Sequence, residues 1–402
     1  MRTVSDGNIT QALIDTQEDP SKTPYISVEI NGTEYWSRLL YLEHNEEPYR
    51  ERAVIGLSNR DGALDNVNLK GQEFEIGYGY DSSGNGGSAT DTVGTATLWV
   101  KSIQKISKGG ERIYQIYAEG MWSRLRREKV LPGLLTWKAV QDVVEGQHIG
   151  PTEYNGRMYT CITEGTTGGT EPDWTTEPVV DGTVEWEDAG AVLPYSGLFD
   201  GTHTIQEIME LVALSLGWTW VDVNTSDGII DTFKPTFAIG QSGYEAGAAI
   251  LYRLIWMTYC YYRCRPSTTF QPIFREDDEV NDITYFSDAA PYFDEYDSQD
   301  SVTEPNSIVV LCNQDPSTEE WGTADYEVIF GTATDDDAIS EYVEVVEVFQ
   351  DGNIRTQEDA DARAEAILWR IKQEASGGRI LLPFHDCRPE IGDIVGVVDN
   401  RV

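Results

Sequence analysis

Between Ile26 and Trp122 apolar and polar positions alternate in short runs: ISVEING, YWSRLLYLEHNEE, RAVIGLSNRDGALDN, EFEIGYGY, TATLWVKSIQKIS and RIYQIYAEGMW. A period of two marks strands with one face on a core. The NG, RDG and KGG breaks between the runs supply the turns. This cadence predicts an antiparallel barrel or sandwich.

Further along, the period becomes helical. In LFDGTHTIQEIMELVALSLGW, Thr204 and Glu207 fit a capping box, Ile205, Ile208, Met209 and Val212 share one face, and Gly217 supplies the stop. A second helix is expected from Tyr244 to about Trp256. The hairpin TYCYYRC-PSTT-FQPIF follows, with Cys260, Tyr262 and Cys264 on one strand face. The acidic, aromatic stretch REDDEVNDITYFSDAAPYFDEYDSQD reads as a long surface loop. Strands are predicted at NSIVVLCN and EYVEVVEVF, then a helix in TQEDADARAEAILWRIKQEA. There Thr356 is the cap, and Ala360, Ala364, Ile367, Leu368 and Ile371 form the stripe. RILLPFHDCRPEIGDIVGVVD predicts two strands around a Pro-Glu-Ile-Gly-Asp turn, the last one strand-like and expected to seek a partner. The fold class is α+β, mainly β.

One segment interrupts this order. GTTGGTEPDWTTEPVVDGTVEW, inside a cassette covering 133–193, is dense in Gly, Thr, Pro and Trp. Asn155-Gly156 and Asp181-Gly182 are hairpin signals. So small a module needs several of its rings merely to fold, which assigns Trp186 and Tyr159 to a mini-core. Trp174, beside Pro172 and Asp173 on the Gly-rich loop, is the leading surface ring, followed by Trp137 and Tyr154. Exposed aromatic faces on a β scaffold suit the apolar face of a sugar.

Length and charge add limits. A chain of 402 residues divides naturally into 1–132, 133–193, 194–300 and 301–402. Its 29 Lys and Arg against 69 Asp and Glu give a formal charge of −40, a field that repels phosphates and argues against nucleic-acid binding by counterion release. DNA could pass nearby without sticking. The amino terminus has no apolar export segment, and AGAAILYRLIWMTYCYYRC carries Arg253 in its middle, so a soluble, cytosol-made chain without membrane insertion is expected. The five cysteines read as reduced and mostly buried.

The search for reaction chemistry returns little. The four histidines fall in no zinc pattern, and there is no phosphate loop, dinucleotide fingerprint or nucleophile elbow. His385, Asp386 and Cys387 are neighbours that point to alternate faces of a strand, so a structural role is expected there. The Gly/Ser loop at 81–91 should have a mobile tip; it lacks the Asp ladder of a calcium site, although Asp81 and Asp91 bracket it. No enzyme activity, cofactor or metal is expected.

Two resemblances complete the picture. YNGRMYTCITEGTTGGTEPDWTTEPVVDGTVEWED resembles the small carbohydrate-binding-type modules that recur in phage tail and fibre proteins. The remaining motifs, in the order EFEIGYGY, ATLWVKSIQKISKGGERIYQIYAEGMW, TIQEIMELVALSLGW, EPNSIVVLCN, DGNIRTQEDADARAEAILWR and RPEIGDIVGVVD, resemble the baseplate hub or tail-tip hub proteins of tailed phages and gene transfer agents. That resemblance implies hub-type β-barrel domains in a homotrimeric ring at the end of the tail tube. It implies tail-tube, distal-tail, tip and fibre proteins as partners, a DNA channel, and a place in the virion after assembly in the host cytoplasm. The cassette would be a binding insert that contacts host glycan. The rival readings are a glycan-binding adhesin or tail-fibre protein and, behind it, a glycan depolymerase.

Overall fold

The computed structural model describes residues 2–401 apart from 3, 5–6, 20, 131–135, 154, 176–177, 192–197, 225–228, 240–244, 276–279, 313–328, 352–353 and 355. After a short helix α1 (Gln11–Gln17), capped by the Thr10 hydroxyl, the expected strands form one eight-stranded sheet. They are β1 (Pro24–Ile30), β2 (Thr33–Glu34), β3 (Leu39–Asn45), β4 (Arg52–Ser58), β5 (Glu73–Tyr80), β6 (Asp91–Gly94), β7 (Leu98–Lys108) and β8 (Glu111–Gly120). The order is β2-β1-β5-β7-β8-β4-β3, with β6 beside the far end of β5.

The expected barrel is therefore not closed: among the described residues no ladder joins β2 to β3. These two edges are nonetheless consecutive in the chain, linked through a 3-10 turn at Trp36–Arg38. The Glu34 carboxylate accepts the Val28 and Trp36 N–H groups at 3.0 and 2.7 Å and the Ser27 hydroxyl at 2.6 Å. A side chain thus takes up donors at the seam where a ladder would continue. The sheet still curls round a single interior. Val28 and Ile30 of β1, Ile55 and Leu57 of β4, Phe74 and Ile76 of β5 and Ile116 of β8 belong to one buried cluster.

A second, larger core holds the centre of the chain together. It gathers Trp122 and Leu125 of α2 (Met121–Leu125), the apolar face of α3 (Ile205–Ser215) and Leu251 and Leu254 of α4 (Gly247–Ile255). Tyr262 and Phe270 of the hairpin Tyr261–Arg265/Thr269–Ile273 join it, with Ile308 and Val310 of the strand Ser307–Cys312. The capping box at Thr204 and Glu207 is formed, each side chain taking the other's backbone N–H. Between the last strands comes α5 (Asp336–Glu341), and α6 (Gln357–Ala375) then lays Ala360, Ala364 and Ile367 into the same core. Its packing is close: a Cβ on Gly331 would lie 1.8 Å from the Ala360 carbonyl oxygen, so only glycine fits there. Arg370 of α6 is buried, donating to the Ile255 carbonyl at 2.9 Å and to that of Cys260, over the rings of Trp256 and Tyr261.

The acidic stretch, expected to be a long surface loop, carries two paired strands instead. Ile283–Phe286 pairs in parallel with Val395–Val398, and Glu295–Asp300 pairs antiparallel with Ser376–Leu381. The local signal was the alternation Ile283 and Tyr285, both buried with Phe293, hidden among surrounding carboxylates. The terminal strand, expected to seek a partner, finds it within its own chain. Four cations hold the preceding turn at 389–393, Arg265 among them at 3.6 Å from Glu390. Arg263 reaches Asp393 at 2.7 Å and Glu390 at 3.2 Å, Arg275 reaches Asp393 at 3.2 Å, and Arg2 lies 3.7 Å from Glu390. This network ties the amino terminus and the central hairpin to the carboxy-terminal turn.

Candidate functional site

The cassette folds as a four-stranded sheet, in the order His148–Ile149, Arg157–Thr163, Val184–Ala191, Val179–Asp181, plus the two-stranded ladder Asp142–Val143/Gly165–Thr166. Trp186 and Tyr159 are buried, as expected, with Val143, Ile149, Cys161, Val179 and Val184. Trp137 and Trp174 are half-buried against this cluster rather than displayed clear of it. Tyr154, the third surface candidate, lies outside the described residues.

The organiser of the cassette is a residue that sequence reasoning used only as a turn signal. Asp181 is 2% exposed, and its carboxylate accepts the Trp137 indole N–H at 2.7 Å, the Trp186 indole N–H at 3.3 Å and the Gly168 backbone N–H at 2.7 Å. Three donors make burial of that charge tolerable. They also explain the glycines: a Cβ on Gly168 would stand 2.9 Å from Asp181 Oδ1, and Gly182, at φ +64°, would put one 2.4 Å from the Thr166 carbonyl oxygen. A second carboxylate, Glu171, accepts the Trp174 indole N–H at 3.0 Å and the Thr152 N–H at 2.6 Å. Tyr159 donates its hydroxyl to the Trp174 carbonyl at 3.0 Å, its ring centroid 4.4 Å from that of Trp174. With both indole N–H groups taken by carboxylates, Trp137 and Trp174 can offer a ligand only the ring area that half-burial leaves to solvent. The small cavity beside Trp137, about 30 Å³ and lined by Gln141, Gln147 and Thr167, is the size of one water molecule.

The other sequence candidates hold structure together. His385 lies against Tyr78 with ring centroids 4.2 Å apart, and its carbonyl accepts the Tyr80 hydroxyl. Asp386 takes the Arg388 guanidinium, the Tyr285 hydroxyl and the Gln17 amide. Cys387 is buried, its thiol pushed up to about 12 by burial and by Asp386, so it is no thiolate nucleophile near neutrality. His44 also meets Tyr78, its Nδ1 3.0 Å from the hydroxyl. Burial, then the neighbouring His385, brings its pKa down to about 4. In the 81–91 loop, Asp81 binds the N–H and hydroxyl of Ser83, and Asp91 binds the hydroxyls of Ser82 and Thr10. Among the described residues no group of three or more His, Cys, Asp or Glu is placed to hold a metal ion, and no helix is long and apolar enough to cross a membrane.

Two solved structures share this architecture. The tail protein from Neisseria meningitidis MC58 superposes with a TM-score of 0.53 over 94% of this chain and 86% of its own, at 10% identity. The 43 kDa tail protein of prophage MuSo2 from Shewanella oneidensis gives 0.51 over 94% and 89%, at 11% identity. This chain has a phage tail-protein fold. No family model and no curated protein matches the sequence.

Proposed function

We propose that this chain is a structural component of a phage-type tail, a hub that forms a ring at the end of the tail tube and adapts the tube to the tip. The observation that carries this is the tail-protein fold extending over 94% of the chain. In this reading 1–132, 194–300 and 301–402 build the hub and 133–193 is a module set into it. Tail-tube, distal-tail, tip and fibre proteins are its neighbours, and its place is the virion. An acidic inner wall, drawn from the −40 charge, would repel DNA phosphates and let the genome pass without binding. The test is native mass by light scattering coupled to size exclusion, followed by negative-stain imaging. Particles of three times 45.0 kDa that image as rings support the hub. A ring whose inner wall is neutral or basic removes the channel argument, and a monomer that binds cell-wall polysaccharide moves the assignment to an adhesin.

Glycan contact belongs to this proposal through the exposed parts of Trp174 and Trp137, with Tyr154 as the third member. Stacking of a sugar on either ring would be lost in Trp174→Ala or Trp137→Ala while the hub retains its mass. Unchanged retention of both variants on host cell-wall glycan would remove the cassette from host recognition.

A further inference from the structure

A groove of about 520 Å³ lies between the β3–β4 connection, the end of α2 and the start of α4. Its walls are Tyr49, Trp122 and Tyr252, its floor includes Ala246, Ala248 and Ala249, and Arg50 and Arg126 stand on its rim. Tyr49 meets Trp122 edge-on at 4.9 Å and Tyr252 at 5.7 Å. Its backbone sits at φ +66°, a left-handed conformation that a bulky residue adopts only when its surroundings impose it and that clusters at ligand clamps. The charge here is the reverse of the chain's: with 69 acidic residues available, neither Arg50 nor Arg126 has an ion-pair partner among the described residues. The one carboxylate on the rim, Glu47, accepts the Asn45 amide at 2.6 Å.

The geometry points to a docking site for an acidic segment of another polypeptide, with apolar or aromatic side chains against Tyr252 and the open part of Tyr49 and carboxylates on Arg50 and Arg126. The lining decides the class of occupant. Its hydrogen-bonding groups are weighted toward charge, two guanidinium groups against the one carboxylate of Glu47, with no Asn, Gln, Ser or Thr among them, a lining that favours carboxylates over neutral hydroxyls. Aromatic rings with arginine are instead the composition of protein-interface anchors. A nucleic-acid strand would meet the same arginines, but its dense charge faces the field of a −40 chain, which a segment with two or three carboxylates meets far more weakly.

The test titrates the full chain into a short fluorescein-labelled peptide alternating Glu with Phe, read by fluorescence anisotropy. Parallel titrations use the Lys-Phe counterpart, single-stranded oligothymidylate and a polygalacturonate fragment. The Glu-Phe peptide alone should bind, and the double variant Arg50→Glu/Arg126→Glu should weaken it by about tenfold or more. Both arginines are exposed, so the variant's melting temperature should stay that of the parent. A second variant, Tyr252→Phe, should bind as the parent does, since the ring and not the hydroxyl makes the wall. Absence of peptide binding, equal binding by the charge-reversed chain, or equal binding of the oligonucleotide, the polygalacturonate or the Lys-Phe peptide overturns the proposal. A self-assembled form of the chain that falls apart on charge reversal would give the groove to a second copy and overturn the partner named here. Ring assembly that persists in the double variant leaves the hub reading intact, so the two proposals fail separately.

Discussion

Acid should loosen the seam between the amino-terminal sheet and the carboxy-terminal turn, and His44 is where the effect can be isolated. Its side chain is 5% exposed, its Nε2 has no hydrogen-bond partner and lies 3.9 Å from Glu46 Oε1, and its ring faces Tyr78, which also packs on His385. In the unfolded chain the imidazole takes a proton near 6.5; in the fold it does so only at about 4. Between those values the unfolded state binds more protons, so stability falls as pH falls. The loss amounts to about 3 kcal/mol at pH 4 relative to pH 7 for this one group. Burial pushes the carboxyls of Glu46 and Glu51 up, which works in the opposite direction. A wild-type titration alone therefore mixes the signs. Replacing His44 by Asn removes the titration and leaves a polar atom for the Tyr78 hydroxyl, at about 1 kcal/mol near neutrality. Urea unfolding of both proteins at pH 7 and pH 4 gives the difference. The expected outcome is an acid loss about 3 kcal/mol smaller in His44→Asn. Equal acid losses, or a histidine proton signal assigned to His44 that titrates near 6.5, would refute the argument.

Two further substitutions test the buried charges. Asp181→Ala strips the acceptor from two indole N–H groups and one backbone N–H; a cassette destabilised by about 2–4 kcal/mol should show as an early tryptophan-fluorescence transition that Asp181→Asn makes milder. Arg263→Ala leaves Asp393, 1% exposed in its side chain, and Glu390 short of a cation. Thermal denaturation should register about 3–5 kcal/mol of lost stability, and a melting curve like the parent's would mean that Arg2, Arg265 and Arg275 suffice.

What the sequence discloses here is local. The capping box at Thr204 and Glu207, the stripe of α6 and the six amino-terminal runs each depend on neighbours within a few residues, and all of them form. Pairings that join distant segments were hidden. Ile283–Phe286 finds Val395–Val398 more than a hundred residues on, and no periodicity reports a partner so far away. The barrel does not close, and alternation could not foretell that, because it says which face is inward and nothing about whether the first and last strands meet. In the cassette, counting rings separated Trp186 and Tyr159 correctly as core. It did not show that Asp181 would gather Trp186, five residues on, with Trp137, 44 residues back. Asp181-Gly182 was visible as a hairpin turn, and a carboxylate beside so many indoles was the unused signal. The groove at Tyr49 left no trace in the sequence, because its parts come from three elements and Arg50 and Arg126 look like ordinary surface residues.

The cassette's tolerance by the fold follows from where the chain leaves and returns. Before it, Lys129–Val130 pairs with Glu245–Ala246 and α2 sits in the central core; after it, Leu198–Asp200 pairs with Thr236–Ala238 and Phe199 enters that same core. Both ends are thus held by partners outside the cassette, whose own buried cluster shares no residue with the central one. Replacing 133–193 by a short Gly-Ser linker should leave the rest folded. Shortening the loop about tenfold even relieves closure entropy by about 2 kcal/mol. The opposing loss is the contact of Val184–Ala191 with α3, which exposes part of a helix whose inner face is satisfied elsewhere. The deletion variant should therefore melt cooperatively within a few degrees of the parent and retain its oligomeric state. A deletion product that is insoluble or melts without cooperativity would mean that the cassette is part of the main core and not a module set into it.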